Sequence, residues 1–408
     1  MRQIHVVGLG LNLRNLPLQH SQRIAGAQVL VGGRKLLDHF KEHPAVKVPI
    51  QIPLVDTISR IRKEVLQEKE VVVLADGDPG FYGIGKRLVD ALGKETVIIY
   101  PNVTILQMAA SRLKIPWHDI QTVSLHGRKD IQPLLRALVR NDRVAVYTDS
   151  NFHPARVADE LIRREIDTFN MHIFEDLGGK SERIRCFELK KAAEESFSPL
   201  NFIILDRTKG PETPFCLGLD DEQYLHQDGL ITKKEIRAAG LSALEIEPDH
   251  TVWDLGAGCG SVAIEASVLA HNGLVQAVER DPERIQLIRQ NVRRTGAYVV
   301  ETIYGKMPDC LESLPDPDRI FIGGGTGKGK RVLEEAMRRL KPGGRMVLHL
   351  VLLGSFSRAR EYLSTLKWHL SITQVQVYRS KSLAFDQRLE ALNPVWIVSA
   401  TKPQPDIL

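Results

Sequence analysis

The sequence predicts an α/β fold in two successive domains, each a largely parallel sheet wrapped by helices. Three observations carry this. Short apolar runs alternate with longer segments whose apolar residues recur at helical spacing. Several of those runs end in glycine clusters, where the backbone must turn sharply. The alternation breaks at Lys209-Gly-Pro-Glu-Thr-Pro214 and then starts again. A chain of 408 residues is also too long for one comfortable core.

In the first half, strands are expected at Ile4–Gly8, Ala27–Val31, Val71–Ala75, Thr96–Tyr100, Val144–Thr148, Met171–Phe174 and Ile203–Leu205. Helices are expected between them, among them Arg34–Phe40 and Val55–Gln67, where Val55, Ile58, Ile61 and Val65 share one face. Ser181–Phe202 departs from the alternation and reads as paired antiparallel elements. The second half gives strands at Val252–Leu255, Val275–Val278, Arg319–Ile322 and Arg345–Leu350, with helices at Val262–Leu269 and Arg284–Thr295. Ile372–Tyr378 and Val395–Ala400 suit an antiparallel edge on a parallel sheet. The domains are therefore drawn at 1–206 and 217–408, with 207–216 as linker.

Composition narrows the function classes. Hydrophobic residues make up 43% and charged residues 26%, as in an ordinary globular protein. Aromatics at 6% are too sparse for a base-stacking surface, and no run of five Lys/Arg stands anywhere, so a nucleic-acid partner is not expected. The formal charge of +5 suits an anionic small molecule. Cys186, Cys216, Cys259 and Cys310 form no C-x-x-C pair, so neither a disulfide framework nor a metal site is expected. No apolar run nears the roughly 20 residues that cross a bilayer, and the opening lacks a signal-peptide layout. A cytoplasmic protein without a membrane partner is the expectation.

The most specific local signal is Val252-Trp-Asp-Leu-Gly-Ala-Gly-Cys-Gly-Ser-Val. A strand carrying Asp254 runs into Gly256, Ala257, Gly258, Cys259 and Gly260, then into a helix whose first amides attract an anionic group. Glu279 closes the next strand about 20 residues on, where a carboxylate grips ribose hydroxyls. Dinucleotide loops use G-x-G-x-x-G, whereas this spacing is G-x-G-x-G with Ser261 next. Asp254 would repel a pyrophosphate but favour an ammonium. S-adenosylmethionine (SAM) is therefore preferred to a dinucleotide, and a glycine turn without a ligand is the remaining reading. Leu340-Lys-Pro-Gly-Gly-Arg345 is a turn usual in this type of methyltransferase, and Gly323-Gly-Gly-Thr-Gly327 is either a ligand loop or a flexible one.

In the first half, Gly8-Leu-Gly10 and Ala75-Asp-Gly-Asp-Pro-Gly-Phe-Tyr-Gly83 each follow an apolar strand. Asp78 can cap a helix or accept a hydrogen bond there. The residues alone yield two glycine-lined crevices and leave open whether this second one binds a ligand.

At these positions the first half resembles the tetrapyrrole methylase family, in the branch that methylates C5 of a corrin ring. The resemblance is carried by Ile4–Gly10, Val31-Gly-Gly-Arg-Lys-Leu-Leu37, Asp76–Gly83, Pro101-Asn-Val-Thr104 with Gln107-Met-Ala-Ala110, Ser124-Leu-His-Gly-Arg128 and Glu175-Asp-Leu-Gly-Gly179. The second half resembles the decarboxylating C15-methyltransferases of the same pathway, through Gly218–Asp221, Gly229–Arg237, Asp254–Gly260 and Leu392-Asn-Pro-Val395. The resemblance implies a two-lobed tetrapyrrole methylase fold followed by a Rossmann-like class I methyltransferase fold. It implies methylation of a precorrin-6 intermediate at C5 and C15, with decarboxylation of the C12 acetate, in cobalamin biosynthesis. Each domain would hold its own SAM, and both parent families tend to self-associate, so a homo-oligomer is expected.

By family position, Gly10, Gly77, Asp78, Phe81 and Thr104 would line the first SAM site. Thr232, Gly256, Ala257, Gly258, Cys259, Gly260, Glu279 and Met307 would line the second. Arg379, Lys381, Arg388 and His349 are candidate contacts for the substrate carboxylates; no catalytic residue is assigned. The sequence departs from the family in three places. Leu11 and Asn12 replace Pro-Gly; Gly305-Lys-Met-Pro308 replaces Gly-Asp-Ala-Pro; and His349–Gly354 replaces a stretch near Asn-Ala-Val-Thr-Leu-Glu. The last two support an alternative in which one domain has lost catalysis and a single-site corrin methyltransferase or a SAM- or corrin-binding protein is left. His349 reads as a substrate contact or as a hydrogen-bonded strand histidine.

Overall fold

A computed structural model describes residues 3–227, 229–323 and 330–404. The chain divides into two compact units. The first comprises Met1–Lys129, Asp142–Ala158 and Asn170–Asp206; the second comprises Asp130–Asn141, Asp159–Phe169 and Arg207–Leu408.

In the first unit, β1 (Ile4–Gly8), β2 (Val29–Gly32), β3 (Val46–Pro49), β4 (Val71–Ala75) and β5 (Val97–Tyr100) form one parallel sheet. Its order is β3-β2-β4-β1-β5. Every residue of β1 and β4 is buried, as their unbroken apolar runs require of central parallel strands. A second sheet holds β6 (Gln121–Ser124), β7 (Arg143–Tyr147), β8 (Phe169–Glu175), β9 (Arg183–Glu188) and β10 (Asn201–Arg207). It runs β6-β7-β10-β8-β9 and is mixed, with β6 parallel to β7 while the β7/β10 and β8/β9 pairs are antiparallel. Two sheets are what the two-lobed reading expects. Within Ser181–Phe202, β9 pairs antiparallel with β8, which lies outside that stretch, and a short helix Leu189–Ala193 follows β9.

In the second unit, β11 (Thr251–Leu255), β12 (Leu274–Glu279), β13 (Val300–Tyr304), β14 (Arg319–Ile322), β15 (Arg345–Leu350) and β16 (His369–Val375) are followed by an exposed hairpin. That hairpin pairs β17 (Tyr378–Leu383) with β18 (Asp386–Ala391), and β19 (Val395–Thr401) closes the chain's main sheet. The seven-stranded order is β13-β12-β11-β14-β15-β19-β16. Strands β11 to β15 are parallel, and β19 runs antiparallel between β15 and β16, the edge expected from the sequence. The order reverses at β11/β14, and open sheets of this kind bind ligands beyond the strand ends at that point.

The helix Ser261–Leu269 is buried along its whole first part, Ser261 to Ser267, because it has apolar residues all round rather than one apolar stripe. Trp253 packs in a separate core cluster with Leu333, Ala336 and Met337, and its indole N–H is satisfied by Gln276 Oε1 at 3.0 Å. Among the described residues no helix is long and apolar enough to cross a membrane.

Candidate active site

The second unit holds a cavity of about 770 Å³ over the end of β11, within the usual range for a small-molecule site. Gly256, Gly258 and Gly260 carry φ of 76°, 59° and 82°, left-handed angles that side-chain-bearing residues rarely adopt. A Cβ on Gly258 would meet nothing within 4 Å, so the turn leaves open space beside its backbone. Gly260 is tighter, since a Cβ there would lie 3.1 Å from Ile288.

Two carboxylates flank this turn. Asp254 is 1% exposed and accepts the Ala263 N–H at 3.0 Å. Burial pushes its carboxyl up to about 7, against the pull of that hydrogen bond, with the Glu279 charge adding to the rise. Glu279 accepts the Gly258 N–H through Oε2 at 3.0 Å, and the Arg280 and Asp281 N–H groups through Oε1 at 2.8 and 3.1 Å. The acid at the end of β12 thus holds the glycine turn of β11 in place.

Eight of the candidates from sequence line this cavity or its turn: Thr232, Gly256, Ala257, Gly258, Cys259, Glu279, Met307 and His349. Gly260 closes the turn as the residue before the helix. His349 is not a hydrogen-bonded strand histidine. It is 8% exposed, both ring nitrogens lack a partner among the described residues, and burial lowers its pKa to about 4. Its ring stands edge-on to Phe321, 4.6 Å between centroids, and a Cβ on Gly240 would overlap it.

The three other substrate candidates lie elsewhere. Arg379 pairs with Asp221 at 2.9 Å and Glu235 at 2.6 Å, while Lys381 and Arg388 reach Glu390 at 3.1 and 3.5 Å on the hairpin. The cations that do line the cavity are Lys233, Arg280, Arg284 and Lys306. Sequence reasoning passed over them, although Arg280 and Lys306 sit just past the ends of β12 and β13, where a parallel sheet presents its ligands. Of the 323–327 loop, residues 324–327 lie outside the described residues.

Arg237 was also passed over. It is fully buried and donates to Glu265 Oε1 at 2.7 Å, to Asp221 Oδ1 at 3.3 Å, to the Thr232 carbonyl at 2.6 Å and to the Leu219 carbonyl. Glu265 in turn accepts from the Gly218 and Leu219 amides and the Tyr224 hydroxyl. This buried network fixes the 218–232 strap, whose last residues wall the cavity.

In the first unit, the five candidates gather beyond the adjacent ends of β4, β1 and β5. Gly10 and Gly77, with φ of 62° and 60°, exchange backbone hydrogen bonds of 3.1 and 3.2 Å. Asp78 accepts from Gly80 N at 2.7 Å and Asn102 N at 2.9 Å, and Asn102 Nδ2 donates to the Gly8 carbonyl at 2.9 Å. A Cβ on Gly8 would come within 2.7 Å of Gly77 O, so only glycine lets the loops close this far. Phe81 lies 5.2 Å from the Tyr82 ring and 6.1 Å from that of Tyr147. Burial holds the Tyr147 phenol well above its usual range. Thr104 caps the helix Ile105–Leu113 in a reciprocal box with Gln107, at 3.1 and 2.9 Å. Thr104→Ala is expected to cost about 1 kcal/mol of stability, measured by urea unfolding.

Residues 3–193 match the family profile described as Tetrapyrrole (Corrin/Porphyrin) Methylases, and residues 223–402 that of a Precorrin methyltransferase domain. A Sinorhizobium sp. protein named precorrin-6Y C(5,15)-methyltransferase (decarboxylating) is 32% identical over 356 residues, covering 85% of this chain and 84% of its own. A Mycobacterium tuberculosis (strain CDC 1551 / Oshkosh) protein of the same name is 28% identical over 359 residues, with 86% and 88% covered. A crystal structure titled precorrin-6y C5,15-methyltransferase, from Geobacter metallireducens GS-15, is 39% identical over 46% of this chain and 97% of its own, with a TM-score of 0.44. Two family matches in this order, and a relative aligned across most of both chains, place this chain in the family of decarboxylating precorrin-6Y C5,15-methyltransferases.

Proposed function

We propose that the chain methylates a precorrin-6 intermediate at C5 in domain 1–206 and at C15 in domain 217–408, removing CO2 from the C12 acetate in the second domain. Residues 207–216 link the two, each domain uses its own SAM, and the work is a step of cobalamin biosynthesis. The observation that carries the second site is the lining of its cavity. It combines a glycine turn and two carboxylates with four cations, Lys233, Arg280, Arg284 and Lys306, which supply positive charge for a polycarboxylate ring.

The residues present fit SAM. The open space at Gly258 admits a ligand against the backbone, Glu279 is placed for ribose hydroxyls, and Asp254 offers a buried negative charge to an ammonium. When bound, SAM supplies an electrophilic methyl group. The protein then has mainly to align the ring carbon with it and exclude water. In the first unit, the Gly10–Gly77 bridge and the Asn102 clasp support a crevice already shaped before any ligand arrives. A homo-oligomeric, cytoplasmic enzyme is part of this proposal.

The test is mass spectrometry after incubation with SAM and either the cobalt-free or the cobalt-containing ring. Gain of two methyl groups with loss of one CO2 is the expected result. One methyl without CO2 loss would restrict activity to the first domain, and no change with either ring would overturn the reading.

Asp254 makes SAM binding at the second site depend on pH. With its proton leaving near 7 in the free protein, an incoming ammonium favours the ionised form. The dissociation constant at this site is expected to rise about tenfold per pH unit as pH falls below 7, and to level off above it. Titration calorimetry at pH 5.5, 6.5 and 8 would show this, and Asp254→Asn should bind weakly at all three.

A further inference from the structure

We propose that His349 is the proton carrier of the second site, taking the hydrogen released from C15 on methylation and delivering it to the carbon that loses CO2. This rests on the reading given above and adds to it a residue and a route for the proton.

Balance of atoms sets the requirement. Methyl transfer forms a bond from C15 to the methyl carbon and breaks the sulfur–methyl bond, leaving the ring cationic with both hydrogen and methyl on C15. Loss of CO2 breaks the bond between the acetate methylene and its carboxylate, and the bonding pair enters the conjugated ring and cancels that charge. The C15 hydrogen must then leave as a proton, and the methylene carbon must gain one to become methyl. One proton is released and one consumed, so a single carrier closes the reaction with no acid, base, oxidant or reductant from outside.

Few groups along the cavity are suited to the task. Glu279 is committed to three backbone amides, and Asp254, which accepts one amide, is the group proposed above to face the SAM ammonium. Burial raises the Cys259 thiol, which keeps its proton. Lysine and arginine side chains offer donors and no acceptor. His349 differs on each count. It lines the cavity, both its ring nitrogens are buried and without partners among the described residues, and it stays neutral at pH 7. A buried polar atom without a partner requires an explanation, and a neutral imidazole has one unprotonated nitrogen that can take up a proton and release it again. Phe321 and the close backbone at Gly240 hold the ring in place, and its burial slows exchange of the proton it carries with solvent.

The test follows the hydrogen in the unaltered protein. The reaction is run in D2O with a substrate carrying ordinary hydrogen at C15, and the new C12 methyl group is analysed by mass spectrometry and NMR. The expected result is clearly less than one deuterium per product molecule, the remainder being hydrogen delivered from C15. A full deuterium in every molecule would overturn the proposal. His349→Asn is expected to take its proton from solvent, raising the content to one deuterium and slowing product formation by 100-fold or more, in line with the loss of a positioned acid–base group. Its SAM affinity, measured by calorimetry, should stay within about twofold, since no cofactor contact is assigned to His349. Undiminished turnover in the variant would also overturn the proposal. If the unaltered chain neither methylates the ring at C15 nor releases CO2, the functional reading itself fails. Turnover with full deuteration removes His349 alone.

Discussion

Arg237→Met is expected to destabilise the second unit by about 3–5 kcal/mol, the range for breaking one side of a buried ion pair. The guanidinium is fully buried against Glu265, which is equally buried, so solvent cannot replace the lost partner. The loss is not of charge alone. The carbonyls of Thr232 and Leu219 each lose a donor, and the strap from 218 to 232 loses its tie to the helix Lys234–Leu244. Glu265 keeps the two amides and the Tyr224 hydroxyl, which places the cost toward the lower end of the range. Urea unfolding of the full chain should show the transition of this unit moving to lower denaturant while the other stays in place. Adding Glu265→Gln should recover part of the loss, because the remaining buried group is then neutral.

The second large effect is on binding. Glu279→Ala is expected to weaken SAM at the second site by roughly 100-fold, the equivalent of two charge-assisted hydrogen bonds of about 1.5 kcal/mol each. Loss of the proposed ribose contacts is one part of this. The Gly258, Arg280 and Asp281 amides lose their acceptor as well, so the glycine turn loosens. Calorimetry on the unaltered chain is expected to give two SAM molecules per chain, and on the variant one tight and one weak. Glu279→Gln should fall between, since its oxygen still accepts but carries no charge. A variant that binds two SAM molecules as tightly as the parent would remove Glu279 from the site.

The elements that could be read from the sequence were those with an unbroken apolar run. Strands β4, β14 and β15 fall at the residues expected, because central strands bury both faces and carry long apolar runs that mark their ends. Those missed are edges or exposed. In β3, Lys47 and Pro49 interrupt the pattern on a partly exposed strand, and β13 alternates as Val-Glu-Thr-Ile-Tyr at the sheet's margin. The hairpin of β17 and β18 buries almost nothing, so neither strand has a periodic signal.

Site residues follow the same physics. The glycine turn and Glu279 are local features that a short stretch of sequence displays. Arg237 lies among Lys233, Lys234 and Glu235, a run that reads as a solvated helix start, and only the folding of 218–221 over it removes it from water. Arg379, Lys381 and Arg388 stand out in the sequence by charge, and the acids that occupy them come partly from distant segments, Asp221 and Glu235 among them. Charge is visible in a sequence; the partner that uses it often is not.

The helix Ser261–Leu269 has a consequence for how this site can change over generations. With no face turned to water between Ser261 and Ser267, it has no position where drift is free. Any replacement must be matched by its neighbours in the core, and such paired changes are rare. The first turn of that helix also ends the glycine loop, so the shape presented to a ligand is inherited together with the interior. New specificity in this unit would therefore arise on lining residues outside this helix and its loop, such as 392–395, while the glycine turn stays as it is.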